Sequence, residues 1–282
     1  MSSMRPSDIL TLASDLPSLP EVYFQVDRIL HDPNSSLEQL ADVIEGDPAI
    51  SARLLRLANS ALYGYPSRID TVQRAVMLIG TSEIRDMVLA TAVISVFRDM
   101  PVGMVSMRSF WEHSIACGVA ARQIASYRLE ANVDRFYLLG LLHDIGRLLM
   151  HMAVSEQMAE LLFRHRQGEG HLIDLEQQSL GVTHAEVGAE LLIRWDLPAT
   201  LADVVRQHHN VTADSECSIE AAVVHVADLL VNAMSMGSSG TRLVPELNEY
   251  AWDRTGIDVN DIASLGESTA ETFGEVVAVF FA

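Results

Sequence analysis

The sequence predicts an all-α protein. Three observations carry that expectation: apolar residues recur at helical spacing from end to end, strand alternation with Asn-Gly or Asp-Gly hairpin turns is missing, and helix stop and start signals punctuate the chain. Val26, Ile29 and Leu30 share one face. So do Leu37, Leu40, Ala41 and Ile44, and then Ile50, Leu54, Leu57 and Ala58. The run Asp32-Pro33-Asn34-Ser35-Ser36 separates two helices, with Ser36 as N-cap and Gln39 as its reciprocal capping-box partner. Gly46-Asp47-Pro48 closes one helix and opens the next, with Asp47 as cap and proline in the first turn. Thr71 to Leu78 and Glu83 to Phe97 form two more helices, broken around Gly80.

Arg98 to Gly103 is the expected main boundary. Beyond it, helices are expected over residues 106–130, 134–152, 154–168, 172–180, 184–195, 198–209 and 218–234. A small-residue loop from Ser235 to Gly240 and two closing segments, Pro245 to Thr255 and Asp258 to Phe281, complete the chain. The architecture this implies is an N-terminal helical bundle, residues 1–100, packed on a larger helical domain, residues 101–282.

Composition narrows the function classes. With 282 residues, 49 % of them hydrophobic, the chain can bury a substantial core. Its 38 acidic residues against 19 basic ones give a formal charge of −19, which repels phosphate backbones and anionic lipid. Neither nucleic acid nor a membrane is therefore an expected partner. Every basic residue is arginine, so Schiff-base chemistry and a Walker-type phosphate loop are excluded. Cys117 and Cys217 lie far apart and beside no second thiol, which argues against a disulfide framework or a thiolate zinc site. The apolar run from Met87 to Phe97 is too short to cross a bilayer, and no signal-peptide core follows the start, so a cytoplasmic location is expected.

The segment from Leu138 to Leu149 carries the strongest chemical signal. His143 and Asp144 stand side by side in an otherwise apolar helix, and burying that pair is costly without a metal or good hydrogen bonds. Imidazole and carboxylate together suit divalent Fe, Mn, Zn or Mg, one ion or two, with the carboxylate able to bridge. Further donors flank the pair: His113 in Trp111-Glu112-His113-Ser114, His184 in Thr183-His184-Ala185-Glu186, the adjacent His208 and His209, and Asp228 in His225-Val226-Ala227-Asp228. Each falls on a different helix or helix end, as a site in a bundle core requires.

In that order, His113 to Asp228 resembles the HD superfamily of metal-dependent phosphohydrolases. The resemblance implies one ion on His113, His143, Asp144 and Asp228, and a second site completed by His184, His208 and His209. Leu16-Pro17-Ser18-Leu19-Pro20, the stretch Glu45 to Gly64 with its Asp47-Pro48 and Asn59-Ser60-Ala61-Leu62-Tyr63-Gly64, and Ala75 to Gly80 look like the HDOD family within it. Val187 to Leu192 and Trp195 to Pro198 fit the same family. The likeness spans about residues 10 to 232 and implies a regulatory output in bacterial-type signalling. One element departs from the related HD-GYP phosphodiesterases: no Gly-Tyr-Pro follows His208-His209-Asn210. Arg147 stands where those enzymes place a phosphate-contacting lysine; it could clamp phosphate bidentately but would not give up a proton.

Two functions follow from the resemblance. The first is a signalling module that binds a protein partner or a small phosphorylated ligand, its HD core a metal site or a degenerate core whose polar residues pair with one another. The second is a metal-dependent phosphohydrolase acting on a nucleotide or other phosphoester, with Asp144 and Arg147 as catalytic residues. With the Gly-Tyr-Pro element lacking, the first is expected over the second, so the chain is read as a signalling module before an enzyme.

Overall fold

The structure is a computed structural model and describes residues 3–13, 16–98, 105–214 and 217–281. Helices account for its regular structure, and no strand occurs among the described residues. In chain order they begin with α1 (Pro6–Leu12), α2 (Glu21–His31), α3 (Leu37–Glu45), α4 (Pro48–Ala58), α5 (Val72–Ile79) and α6 (Thr81–Phe97). The long α7 (Met107–Tyr127) leads to α8 (Val133–Leu142), α9 (Ile145–Ala153), α10 (Ser155–Arg166) and α11 (Leu172–Leu180). Then come α12 (His184–Arg194), α13 (Ala199–Gln207), α14 (Ser218–Ala233), α15 (Glu249–Thr255) and α16 (Ile262–Phe281).

The chain divides into two compact units, neither of them continuous in sequence. One comprises Met1–Leu16 and Asp99–Thr269; the other comprises Pro17–Arg98 and Ala270–Ala282. Where chain order alone suggests a single cut after residue 100, the fold groups residues 1–16 with the later segment and 270–282 with the earlier one. Of the expected boundary, residues 99–103 lie outside the described residues.

In the unit around α2–α6 the local signals act as the sequence suggests. Ser36 Oγ accepts from the Gln39 backbone N–H at 3.2 Å while Gln39 Oε1 accepts from that of Ser36 at 2.9 Å. Asp47 Oδ1 accepts from the N–H groups of Ala49 and Ile50, both at 3.0 Å. Gly80, at φ +108°, separates α5 from α6 as only glycine does comfortably. The inward face of α2 is set by Val22, Tyr23 and Val26, with Ile29 and Leu30 only half-buried. Asn59 explains part of its own motif. Its side chain donates to Ile69 O and accepts from Ile69 N, both at 2.8 Å, pinning the turn after α4 to the entry of α5.

In the other unit, glycine pairs bring the site-bearing helices together. A Cβ on Gly140 would meet Cys117 O at 2.5 Å and Gly118 Cα at 2.8 Å, so α7 and α8 approach backbone to backbone. A Cβ on Gly146 would meet His184 O at 2.0 Å and Gly188 N at 2.5 Å, which holds α9 equally close to α12. α14 packs on α7, α8 and α13, and α1 packs on α9 and α12. The N-terminal segment is tied in by Met4 N–H donating to Leu180 O at 2.8 Å.

One expectation is corrected. The apolar run over residues 134–152 suggested one helix with His143 and Asp144 inside it, but the chain breaks at that dipeptide into α8 and α9. Asp144 leaves helical geometry at φ −99°, ψ 7°. In an unbroken helix neighbouring side chains diverge by about 100° around the axis. The break lets His143, at the end of α8, and Asp144, at the start of α9, face one cluster with 3.4 Å between Nε2 and Oδ2.

Candidate metal centre

Seven sequence-predicted residues meet inside the α7–α14 unit. His113 comes from α7, His143 and Asp144 from the α8–α9 break, His184 from the start of α12, His208 and His209 from the end of α13, and Asp228 from α14. His113, His143, His184 and His208 are fully buried, Asp144 is 2 % exposed and Asp228 5 %. They form two adjoining groups. His113, Cys117, His143 and Asp228 offer one ligand atom each, all within 4.8 Å of one another, and Asp144, His184, His208 and His209 do the same.

Asp144 joins the groups. Its Oδ2 lies 3.7 Å from His113 Nε2 and 3.4 Å from His143 Nε2, while its Oδ1 lies 3.1 Å from His184 Nε2. Asp228 Oδ1 closes the first group at 3.1 Å from His113 Nε2 and 3.6 Å from His143 Nε2. In the second, His184 Nε2 and His209 Nε2 are 3.0 Å apart.

Outer partners fix the imidazoles. The Nδ1 atoms of His143 and His208 each lie 2.7 Å from a backbone carbonyl, Gly140 O and Val205 O. A carbonyl only accepts, so both Nδ1 atoms carry a proton, and both Nε2 atoms are aimed at the cluster, where an ion would displace any proton they hold. His184 Nδ1 meets Glu176 Oε2 at 2.6 Å. Asn232 donates to Asp228 Oδ1 at 2.7 Å. His225, outside the predicted ligand set, reaches His208 O with Nδ1 at 2.8 Å and steadies the end of α13.

The electrostatics are those of a strongly coupled core. Burial alone would raise the carboxyls, but Arg147 and His143 hold Asp144 well below the usual range, and contacts from His113 and His143 do the same for Asp228. Burial opposes charge on His143, yet Asp144 and Asp228 hold it up at about 10. Burial and the neighbouring imidazoles push His208 and His209 well down, so both are neutral donors at physiological pH.

The donor set fits a divalent ion on three counts. Imidazole and carboxylate atoms converge in a buried core, second partners orient them, and among the described residues His143 Nε2 and His208 Nε2 have no hydrogen-bond partner. Arg147 enters the second group. It is 2 % exposed, with Nε 3.4 Å from Asp144 Oδ1, Nη2 3.4 Å from His184 Nε2 and Nη1 donating to Ser239 Oγ at 2.7 Å. Cys117, Glu176 and Ser239 belong to the site and were not anticipated. Only Cys117 carried a signal, since it stands four residues after His113 on one helix face.

A pH dependence arises next to this cluster. His151, on α9, is 6 % exposed, and burial followed by the Arg147 charge lowers it to about 4. It is neutral when folded and titrates near its ordinary value of about 6.5 when unfolded. Its contribution is thus complete above pH 6.5 and is lost as pH falls toward 4. By denaturant titration in chelator, the wild type should lose on the order of 2 kcal/mol more than His151→Leu between pH 7 and pH 5. Parallel pH profiles would remove His151 from the acid response.

Helices that aim His, His-Asp, His, His-His and Asp into one buried core define an HD-type helical domain. Residues 16–211 match the HDOD domain, and the chain belongs to the HDOD family. It is 27 % identical over 199 residues to an uncharacterized protein of Treponema pallidum (strain Nichols), covering 70 % of this chain but only 38 % of that protein. It is also similar to the crystal structure of an HDOD domain protein of unknown function from Geobacter sulfurreducens, at 25 % identity and a TM-score of 0.79 over 97 % of this chain and 98 % of that one. A Shewanella amazonensis SB2B structure, provisionally called a phosphohydrolase, shares the fold at 22 % identity and a TM-score of 0.73, covering 97 % of each chain. Among the described residues no helix is long and apolar enough to cross a membrane.

Proposed function

We propose that this chain is a regulatory module of bacterial-type intracellular signalling whose HD core holds a single divalent ion for stability or ligand sensing. A protein partner or a small phosphorylated ligand is the expected input or output. The observation that carries this reading is Arg147. Its guanidinium stands 3.4 Å from both Asp144 Oδ1 and His184 Nε2, so the second group already contains a fixed positive charge. A second dication there would face an arginine that cannot be deprotonated. The Arg147 charge disfavours an ion in the second group, so a single ion is held among His113, His143 and Asp228.

The rival reading, a metal-dependent phosphohydrolase, is favoured by a cavity of about 380 Å³ that reaches Arg147 and His209 and is lined further by His165, His171, Thr183 and Asn210. A phosphoester entering it would meet the planar fork of Arg147. A bound ion would supply Lewis-acid polarisation of a phosphoryl oxygen. A phosphatase and phosphodiesterase screen with added manganese or iron separates the two. The regulatory reading predicts no turnover above the metal blank. Turnover abolished by Asp144→Ala would reverse the ranking.

A further inference from the structure

We infer that Cys117 is a thiolate ligand of the ion held by His113, His143 and Asp228, which directs the centre toward zinc, cobalt(II) or iron(II) and away from magnesium. The inference rests on the metal-centre reading above and adds a residue that the His, His-Asp, Asp pattern does not contain.

The case is geometric. His113 and Cys117 project from the same face of α7 at i, i+4. Cys117 Sγ lies 3.7 Å from His113 Nε2 and 3.8 Å from Asp228 Oδ1. Tetrahedral zinc with bonds of about 2.0–2.1 Å to nitrogen and oxygen and about 2.3 Å to sulfur sets donor separations of roughly 3.3 Å for N···O and 3.5 Å for N···S. The pairs here measure 3.1 and 3.6 Å for N···O and 3.7 Å for N···S. An octahedral magnesium site would draw neighbouring oxygen and nitrogen donors to about 2.9 Å. A second observation stands apart from the cysteine. His143 Nε2, in a fully buried ring whose Nδ1 is engaged by Gly140 O, belongs to the same four-atom group and has no hydrogen-bond partner among the described residues. Once deprotonated by an incoming ion, that nitrogen supplies one ligand, and the thiol sulfur completes the donor set.

A sulfur donor changes which ion is held. Thiolate suits borderline and soft ions, whereas magnesium and calcium take oxygen. On binding, the S–H bond of Cys117 breaks, a sulfur–metal bond forms and the proton passes to solvent. The alternative is a small buried side chain that only hydrogen-bonds Asp228.

Cobalt(II) distinguishes the two. The full-length chain, stripped by chelator and reloaded anaerobically with cobalt, should show a near-ultraviolet thiolate-to-cobalt charge-transfer band. Cys217→Ser should keep the band; Cys117→Ser should lose it and bind cobalt at least about tenfold more weakly, as even outer partners of ligands cost that much. Zinc-edge X-ray absorption on the wild type gives the same answer without a Cys117 variant, as a sulfur shell at about 2.3 Å. Bound cobalt without the band, together with zinc lacking the sulfur shell, overturns the Cys117 assignment while leaving the histidine–aspartate centre intact. Failure of the wild type to retain either ion overturns both.

Discussion

Replacing Gly146 by alanine should cost at least about 3 kcal/mol and disorganise the core, the upper end of what overpacking does. The added methyl would sit 2.0 Å from His184 O and 2.5 Å from Gly188 N. Both obstacles are backbone, so neither can swing aside as a side chain would. To relieve them α9 must withdraw from α12, separating Asp144 from His184, whose Oδ1 and Nε2 lie 3.1 Å apart. Gly274→Ala is the control. It lies in α16 with nothing within 4 Å of the added carbon, and should be neutral or stabilising by up to about 1 kcal/mol. Denaturant midpoints for the two variants check the pair. Equal midpoints would mean that the α9–α12 approach is looser than these distances describe.

Asp228→Asn is the second large effect. Asp228 Oδ1 is contacted by His113, His143, Cys117 and Asn232. It is one of the carboxylates that sustain a charge on the fully buried His143. Neutralising it in the metal-free protein leaves the buried His143 imidazolium with Asp144 as its remaining carboxylate, and breaking a buried pair on one side costs about 3 kcal/mol at the lower end of its usual range. Denaturant unfolding in chelator should show that loss. A loss below about 1 kcal/mol would mean that the imidazoles are neutral and that Asp228 is a hydrogen-bond acceptor only. The same substitution removes a ligand, so the loaded protein should fall further than the stripped one.

How far the sequence revealed this core depends on the range of the forces involved. Caps such as Ser36 and Asp47, and the break at Gly80, are local events between residues a few positions apart, and local patterns betray them. The pair His143-Asp144 was legible because an ionisable pair in an apolar helical run demands compensation, and His113, His184, His208, His209 and Asp228 joined it through an order that resembles the HD superfamily. The break between α8 and α9 was not legible, since leucines run on through it and the close approach of α9 to α12 at Gly146 and Gly188 involves residues far apart in sequence. Glu176 and Ser239 gave no local sign: one is bound to His184 eight residues away and the other to Arg147 across 92. The seven-residue α1 likewise takes its place from α9 and α12. The grouping of residues 1–16 with the later segment and of 270–282 with the earlier one is tertiary throughout.

Elemental analysis of the purified chain, expressed with zinc and iron available and never exposed to chelator, tests the centre most directly. About one equivalent of a borderline divalent ion per chain is predicted, with His113→Ala and His143→Ala emptied of it at unchanged helical content. A wild type free of metal, or variants that keep its full complement, would contradict a metal centre and leave a core of paired charges.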